Sequence, residues 1–591
     1  MKRRNRDEEQ RAKETEVAEV VPPTASPSLP LFADDASRPK LGQVLVDQRL
    51  LTPEALSTAL DLQAASGRKL GSVLVESGLV GAHVLNEALA AQFGVPTIDL
   101  RRAAPSDEVL ALVPEATARA RRIMPLRLEG GVLEVAIADP GDPEVKAALG
   151  TIPAESVKVF LAPQGDIEVA LNSFYRLLAA DDEAVQQFWA SSAPVQTTES
   201  LLDGDAPVIQ LVNRIVVQAL RDRASDVHIE PTEGRVRIRF RIDGALHEVL
   251  SLPLSTGLEL VSRIKVMAMM DIVERRRPQD GQFQTVIDGA GVDVRVATAA
   301  TIWGETAVLR LLDKSRSMKR LGDLGMPPGS YERYLDILKT PYGMLLCSGP
   351  TGSGKTTTLY ASLAQISRDE LNVMTIEDPV EYVFPNANQM QILPQADMTF
   401  ASGLKSILRQ DPDIILVGEI RDEETARIAV QSALTGHFVM SSIHATDACS
   451  ALFRLVDMGI EGFLVASSLV GVVGQRLVRR ICPSCAEAYE PSHHDLEWYQ
   501  RLGGSSTKKV FMRGAGCQFC SNTGYRERVG VYEVLAVTED VSHALVTGAT
   551  PHEVRRIAVE LGMRSMGFEG MQLVERDITT IDEVVRNVHV H

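Results

Sequence analysis

The stretch Gly343 to Leu359 reads GMLLCSGPTGSGKTTTL, with Gly349, Gly354, Lys355 and Thr356 at the spacing G-x-x-x-x-G-K-[ST]. That spacing is the pattern of a phosphate-binding loop. Met344 to Cys347 is an apolar run of strand length, and helix formers follow Lys355, which is the strand–loop–helix context the motif needs. The glycines let backbone N–H groups close around phosphate oxygens where a Cβ would collide. Thr351, Gly352, Ser353 and Thr357 complete the cradle. Lys355 would reach the β and γ phosphates of ATP and Thr356 would hold Mg²⁺ through its hydroxyl. The helix N-terminus behind them adds a favourable partial charge for the anion.

Two carboxylates follow. Val373 to Ile376 reads as a strand ending in Glu377 and Asp378, and Ile414 to Val417 as a strand ending just before Glu419. Strand carboxyl ends are where open α/β sheets bind ligands. Acids there suit Mg²⁺ ligation and activation of an attacking water, on strands expected to flank the P-loop strand. The alternative is that these acids cap the next helices. His437 and His444 bracket the apolar run Phe438 to Met440, beside Thr446 and Asp447. They suggest a sensor of the γ phosphate or a subunit contact. Upstream, Arg235, Arg237, Arg239 and Arg241 alternate with Val236, Ile238, Phe240 and Ile242, so period two places all four arginines on one strand face. Either carboxylates of the preceding strand, Asp226 and Glu230, neutralise them, or some reach a bound nucleotide in the same or a neighbouring subunit. Arg295 and Arg310 on later strands are similar candidates.

Cys482, Cys485, Cys517 and Cys520 form two C-x-x-C pairs. In a chain with reduced thiols this is a tetrahedral four-cysteine Zn²⁺ site. Ala486 to Gly516 between the pairs exceeds the span of a compact zinc finger and should carry its own structure. Cys347 and Cys449 stand alone and read as buried packing residues.

The elements that must position these residues need several domains, since the chain has 591 residues, 45% of them hydrophobic and 24% charged. A net charge of −17 argues against nucleic acid as the main partner. No apolar run reaches the length of a membrane helix, and the charged N-terminus lacks a signal-peptide core. The expected location is therefore cytoplasmic. Composition and pattern divide the chain into a tail (1–38), an N-terminal module (39–178), a linker (179–206), an α+β domain (207–318), the P-loop domain (319–480), a zinc module (481–528) and a C-terminal helical subdomain (529–591). The N-terminal module opens on a repeat in which Leu41, Gly42, Leu45, Leu56, Leu60 and Gln63 recur 29 residues later as Leu70, Gly71, Leu74, Leu85, Leu89 and Gln92. Each copy reads as two short helices with an apolar face. A small α/β part follows, with a hairpin signal at Gly130–Gly131.

The motifs together resemble the secretion and pilus ATPase superfamily. GPTGSGKTTTLY resembles its Walker A, TIEDPVEY its aspartate box, ILVGEIRD its Walker B and TGHFVMSSIHATD its histidine box, while ASDVHIEP is similar to the start of its second N-terminal domain. The resemblance covers roughly 39–591. It implies a multidomain α/β chain: a RecA-like P-loop core preceded by a PAS-like α+β domain and the helical-repeat module. It further implies that Glu377 activates water, that Glu419 helps hold Mg²⁺, and that one or more of Arg239, Arg241, Arg295 and Arg310 stabilise the γ phosphate. The implied assembly is a homohexamer peripheral at the inner face of the cell membrane. It drives an inner-membrane platform protein to assemble a type IV pilus or a type II secretion pseudopilus. The tetracysteine module and long N-terminal module are typical of assembly rather than retraction ATPases. In some members paired RLG-type copies bind cyclic di-GMP. Here Lys40 and Lys69 stand where Arg is usual, and Arg49 where the first copy normally has Gly. Two other readings remain from the residues alone: a nucleic-acid translocase with a zinc ribbon, which needs a salt-dependent DNA affinity, and a regulatory scaffold, which predicts no turnover.

Overall fold

The computed structural model describes residues 39–175, 207–287, 290–313 and 319–588. The expected tail and linker lie outside them. Among the described residues no helix is long and apolar enough to cross a membrane. The chain divides into two compact units, 1–175 and 176–591.

In the first unit each repeat copy forms two helices, Leu41–Asp47 with Pro53–Ser66 and Leu70–Glu76 with Ala82–Phe93. The core is built from the repeat itself. Val44, Leu45, Leu51 and Ala59 meet their counterparts Val73, Leu74, Val80 and Ala88 in one cluster. Gly42 lets the two helices approach closely, since a Cβ there would lie 2.8 Å from Leu56 Cδ1 and the leucine would have to move. Arg49 takes the left-handed conformation at φ 59°, as Gly78 does in the second copy at φ 72°. A three-stranded sheet follows: β1 (Ile123–Glu129), β2 (Val132–Ile137) and β3 (Ser156–Leu161), with β1 and β2 antiparallel across the Gly130–Gly131 turn.

The second unit contains two large sheets. The first has order β6-β5-β4-β9-β8-β7, antiparallel throughout, from β4 (Asp226–Thr232), β5 (Arg235–Ile242), β6 (Ala245–Pro253), β7 (Gln279–Ile287), β8 (Ala290–Thr301) and β9 (Gly304–Asp313). Alternation puts Val227, Phe240, Leu309 and Val296 in a core with the helices Pro207–Arg221 and Gly257–Met267. The polar residues take the other face.

The second sheet has order β12-β11-β13-β14-β10-β15-β18. Its strands are β10 (Gly343–Ser348), β11 (Val373–Glu377), β12 (Asn388–Gln391), β13 (Ile414–Val417), β14 (Phe438–Ile443), β15 (Leu469–Ile481) and β18 (Tyr525–Ala536). All neighbours are parallel except β15 and β18. Every residue of β10, β11, β13 and β14 is buried, as expected of parallel strands covered on both faces. The order corrects one expectation. The strands of Glu377 and Glu419 are neighbours, but β14 stands between them and the P-loop strand, because crossover packing, not sequence order, decides where a parallel strand inserts. A second correction concerns β18: an expected boundary after residue 528 falls inside it. Its charged first half, Arg526 to Arg528, hides a strand that pairs with β15 along its length as the seventh strand of the parallel sheet. Between the cysteine pairs lie β16 (Ala486–Tyr489), the helix His493–Arg501 and β17 (Phe511–Gly514), with β16 and β17 antiparallel.

Candidate active site

Four contiguous parallel strands, β11, β13, β14 and β10, deliver their carboxyl ends side by side, and just past them come Glu377, Glu419, His444 and Gly349. The loop after β10 turns at Gly349, φ 153°, where a Cβ would lie 2.5 Å from Ser353 Oγ and 2.6 Å from Gln475 O. The helix Lys355–Ile366 then starts with no side chain capping it among the described residues, so its first-turn N–H groups are available to an anion. Lys355 Nζ donates to Gly349 O at 2.9 Å and Pro350 O at 3.0 Å and so lies over the loop. Burial pushes its ammonium below the ordinary lysine range. Ser353 Oγ is buried without a hydrogen-bond partner. An orphaned hydroxyl inside a cradle that excludes Cβ atoms fits a bound phosphate. Thr356 is half-buried, and Thr351, Gly352 and Thr357 are exposed along the loop.

Glu419 belongs to this centre. Its carboxylate takes a hydrogen bond from Arg421, and His444 Nε2 lies 3.3 Å from its second oxygen. Burial alone would raise its pKa; the hydrogen bond and charge of Arg421, then His444, outweigh that and hold it below the usual carboxylate range. Glu419 is also among the charges acting on Lys355. It caps no helix: the helix Glu423–Leu434 is capped by Asp422. Glu377 is more enclosed, at 3% exposure. One oxygen accepts from Thr375 Oγ1 at 2.6 Å and Gln389 Nε2 at 3.1 Å, the other from Tyr360. His437 stands apart from His444, at the opposite end of β14. Its Nδ1 lies 2.9 Å from Ser432 O, where it closes the end of the helix Glu423–Leu434. The two histidines therefore do not share a site.

The arginines separate into two groups. Arg235 pairs with Glu248 at 3.0 Å, and Arg237 and Arg239 with Glu230 at 3.3 and 2.5 Å. These are the local carboxylates that alternation calls for. The other group forms a row across the sheet: Arg241 on β5 opposite Asp226 on β4, opposite Arg310 on β9, opposite Arg295 on β8, and Asp226 pairs with Arg310 at 3.2 Å and Arg241 at 3.7 Å. Arg295 and Arg310 line a cavity of about 770 Å³ with Asp226, Asp378 and Gln391, so this part of the row faces the segment after Glu377. Both act on Glu381 in that segment, although burial, the larger effect, leaves its pKa raised. A second cavity of about 600 Å³ opens beside Gly354 and Thr357, lined by Tyr360, Tyr382, Gln475, Leu477 and Arg528.

Several of these residues escape sequence reasoning. Gln475 accepts from Thr358 Oγ1 at 2.7 Å and from Cys347 at 3.6 Å, and Arg476 Nη2 donates to Thr446 O at 2.6 Å. Their one signal is polarity in the otherwise apolar run Leu469–Val478. Tyr360 and Gln389 carry no spacing signal at all.

Away from this centre the four paired cysteines converge, with every sulfur within 4.8 Å of the others. Cys482 and Cys517 are 3.9 Å apart, as are Cys485 and Cys520. Backbone N–H groups of Gly516, Cys517 and Gly524 donate to the sulfurs at 3.2–3.3 Å. Such donors stabilise thiolate, the form that binds metal, and the donor set fits Zn²⁺. Cys347 and Cys449 are buried.

A P-loop at the carboxyl end of a parallel sheet, with an acid and a histidine facing its lysine, defines a P-loop nucleotide hydrolase. Comparison with known proteins places it more closely. The model of the "Type II/IV secretion system protein" family matches residues 201–586, and that of the "MshEN domain" matches 93–181. The type IV pilus assembly ATPase PilB of Myxococcus xanthus is 37% identical over 93% of this chain and 98% of its own length. The type II secretion system ATPase E of Vibrio cholerae is 44% identical over 68% of this chain and 79% of its own. The X-ray structure of the Legionella pneumophila ATPase DotB is 21% identical, covering 64% of this chain and 94% of that one, with a TM-score of 0.49. The chain belongs to the type II/IV secretion ATPase family, and it is an ATP-hydrolysing motor ATPase.

Proposed function

We propose that this chain hydrolyses ATP as a homohexamer and uses the energy to drive an inner-membrane platform protein in building a type IV pilus or type II secretion pseudopilus. It would act from the cytoplasm, at the inner face of the membrane. The observation that carries the catalytic part is the convergence of Lys355, Glu419 and His444 at the ends of β10, β13 and β14. The loop 349–357 would bind the triphosphate, with Lys355 exchanging its two loop carbonyls for phosphate oxygens. Thr356 and Glu419 would hold Mg²⁺, which when bound neutralises phosphate charge. Glu377, held by three side-chain donors, would orient the attacking water. Arg295 and Arg310, with Arg241 in the same row, would meet charge developing on the γ phosphate, in the same or an adjacent subunit, with Arg310 and Arg241 exchanging Asp226 for it; Arg239, paired with Glu230 and not lining the cavity of Arg295 and Arg310, is the weaker candidate. The cavity beside Gly354 and Thr357 has the room for the nucleoside.

The remaining modules fit the same reading. The four-cysteine site would hold a structural Zn²⁺ that pins the 482–520 segment to the motor sheet. The antiparallel domain, with helices on one face of its sheet, is read as PAS-like. The repeat module is read as a cyclic di-GMP receptor, supported by its recurrent residues; the MshEN match covers the α/β part that follows the repeats. In this chain Lys69 Nζ pairs with Asp139 at 2.6 Å, so ligand would have to displace that pair. Calorimetry on the full chain should then show heat with micromolar cyclic di-GMP, and none would remove this part. For the catalytic part, Glu377→Gln should bind ATP yet turn over at least about a hundredfold slower. A near-normal rate would move the water-activating role to Glu419.

A further inference from the structure

Tyr360 stands five residues after Lys355 on the P-loop helix and is 1% exposed. Its ring packs edge-on against Phe384 and Tyr382, with centroids 4.9 and 5.9 Å away. Its hydroxyl donates to Glu377 and accepts from Glu381 N at 3.3 Å. Gln389 closes the same socket from β12: its Nε2 reaches both Glu377 and Tyr382 O, and its Oε1 accepts from Phe384 N at 2.8 Å. The segment between β11 and β12 is thus threaded around one phenol. The same ring also lines the cavity with Gly354 and Thr357. Tyr360 thus joins the phosphate-binding helix, this cavity and Glu377.

A core aromatic needs only its ring to pack, and Phe would serve. Here the hydroxyl is spent on a carboxylate at a strand end, and both belong to elements that carry the chemistry. We propose that Tyr360 is a positioning residue for hydrolysis, fixing Glu377 in register with the phosphates gripped by the helix that carries Lys355. The inference rests on Glu377 being the water-orienting group. Loss of the hydroxyl would leave ATP binding intact and let the carboxylate wander. The cost would fall on kcat, because misplacement by about an ångström is expensive in the reacting complex.

The test is a double-mutant cycle on the full chain. Tyr360→Phe keeps the packing ring. It should lower kcat about tenfold or more, with KM and the dissociation constant for a fluorescent ATP analogue within about twofold. In the Glu377→Gln background, Tyr360→Phe should produce no further loss, since both changes remove one function. A wild-type kcat for Tyr360→Phe, or the same fold loss in both backgrounds, overturns the inference, the second result marking a purely structural role. If Glu377→Gln alone turns over at the normal rate, the water-orienting reading itself has failed and takes this inference with it. Thermal unfolding of each variant identifies any that fail to fold. For those, Thr375→Val, which removes a different donor to Glu377, replaces Tyr360→Phe in the cycle and must show the same non-additivity.

Discussion

In the proposed reading, Lys355 and the pair Glu419–His444 are where binding and chemistry meet, and substitutions at and around them have sharply different expected outcomes. Lys355→Ala removes the charge that crosses the loop, so ATP binding and turnover should both disappear in a filter-binding and phosphate-release assay. A different test concerns Arg555, which joins Asp447 at 2.7 Å and Glu533 at 3.4 Å. Both acids are buried, and Asp447 O also accepts from Ser348 Oγ at 3.0 Å, at the end of the P-loop strand. Arg555→Met would take from two buried carboxylates their ion-pair partner and should cost about 3 kcal/mol in urea unfolding. An unchanged midpoint would mean the network is bystander charge. The motif residues were legible because a P-loop must combine glycines, lysine and hydroxyl at fixed spacing. Tyr360, Gln389 and Gln475 were not, because their role exists only once separate strands are side by side.

At the scale of elements, the parallel strands could be read from their continuous apolar runs, and the repeat helices from a 29-residue recurrence that also builds their shared core. Strand order could not be read. Nothing in the sequence distinguishes β14 beside β10 from β13 beside β10, since both orders bury the same side chains. The strand β18 was half-hidden for the opposite reason: its half-buried first half is charged, and only pairing with β15 makes it regular. The four-cysteine module gives the prediction that belongs here. Elemental analysis of purified protein should find one zinc per chain, lost in Cys517→Ser. Loss should open the 482–520 segment to protease before the parallel strands, because metal ligation is folding energy for a local module. Zinc-free protein with an equally resistant segment would contradict this.

For the whole molecule, Asp226, Arg310 and Arg295 bring the antiparallel domain to the strand ends of the parallel sheet within one unit. Replacing both Arg295 and Arg310 by Ala should cut turnover by about a thousandfold while leaving nucleotide affinity nearly intact, as for arginines that act on transition-state charge. A loss of affinity alone would recast them as ordinary phosphate contacts. The net charge of −17 sets the expectation for partners: protein rather than nucleic acid. The most direct measurement is ATP turnover per subunit across a range of protein concentrations, with and without single-stranded DNA. A ring motor acting on protein requires turnover that rises with concentration, vanishes in Lys355→Ala and ignores DNA. Strong stimulation by DNA, or turnover per subunit that stays constant down to concentrations where only monomer exists, would contradict it.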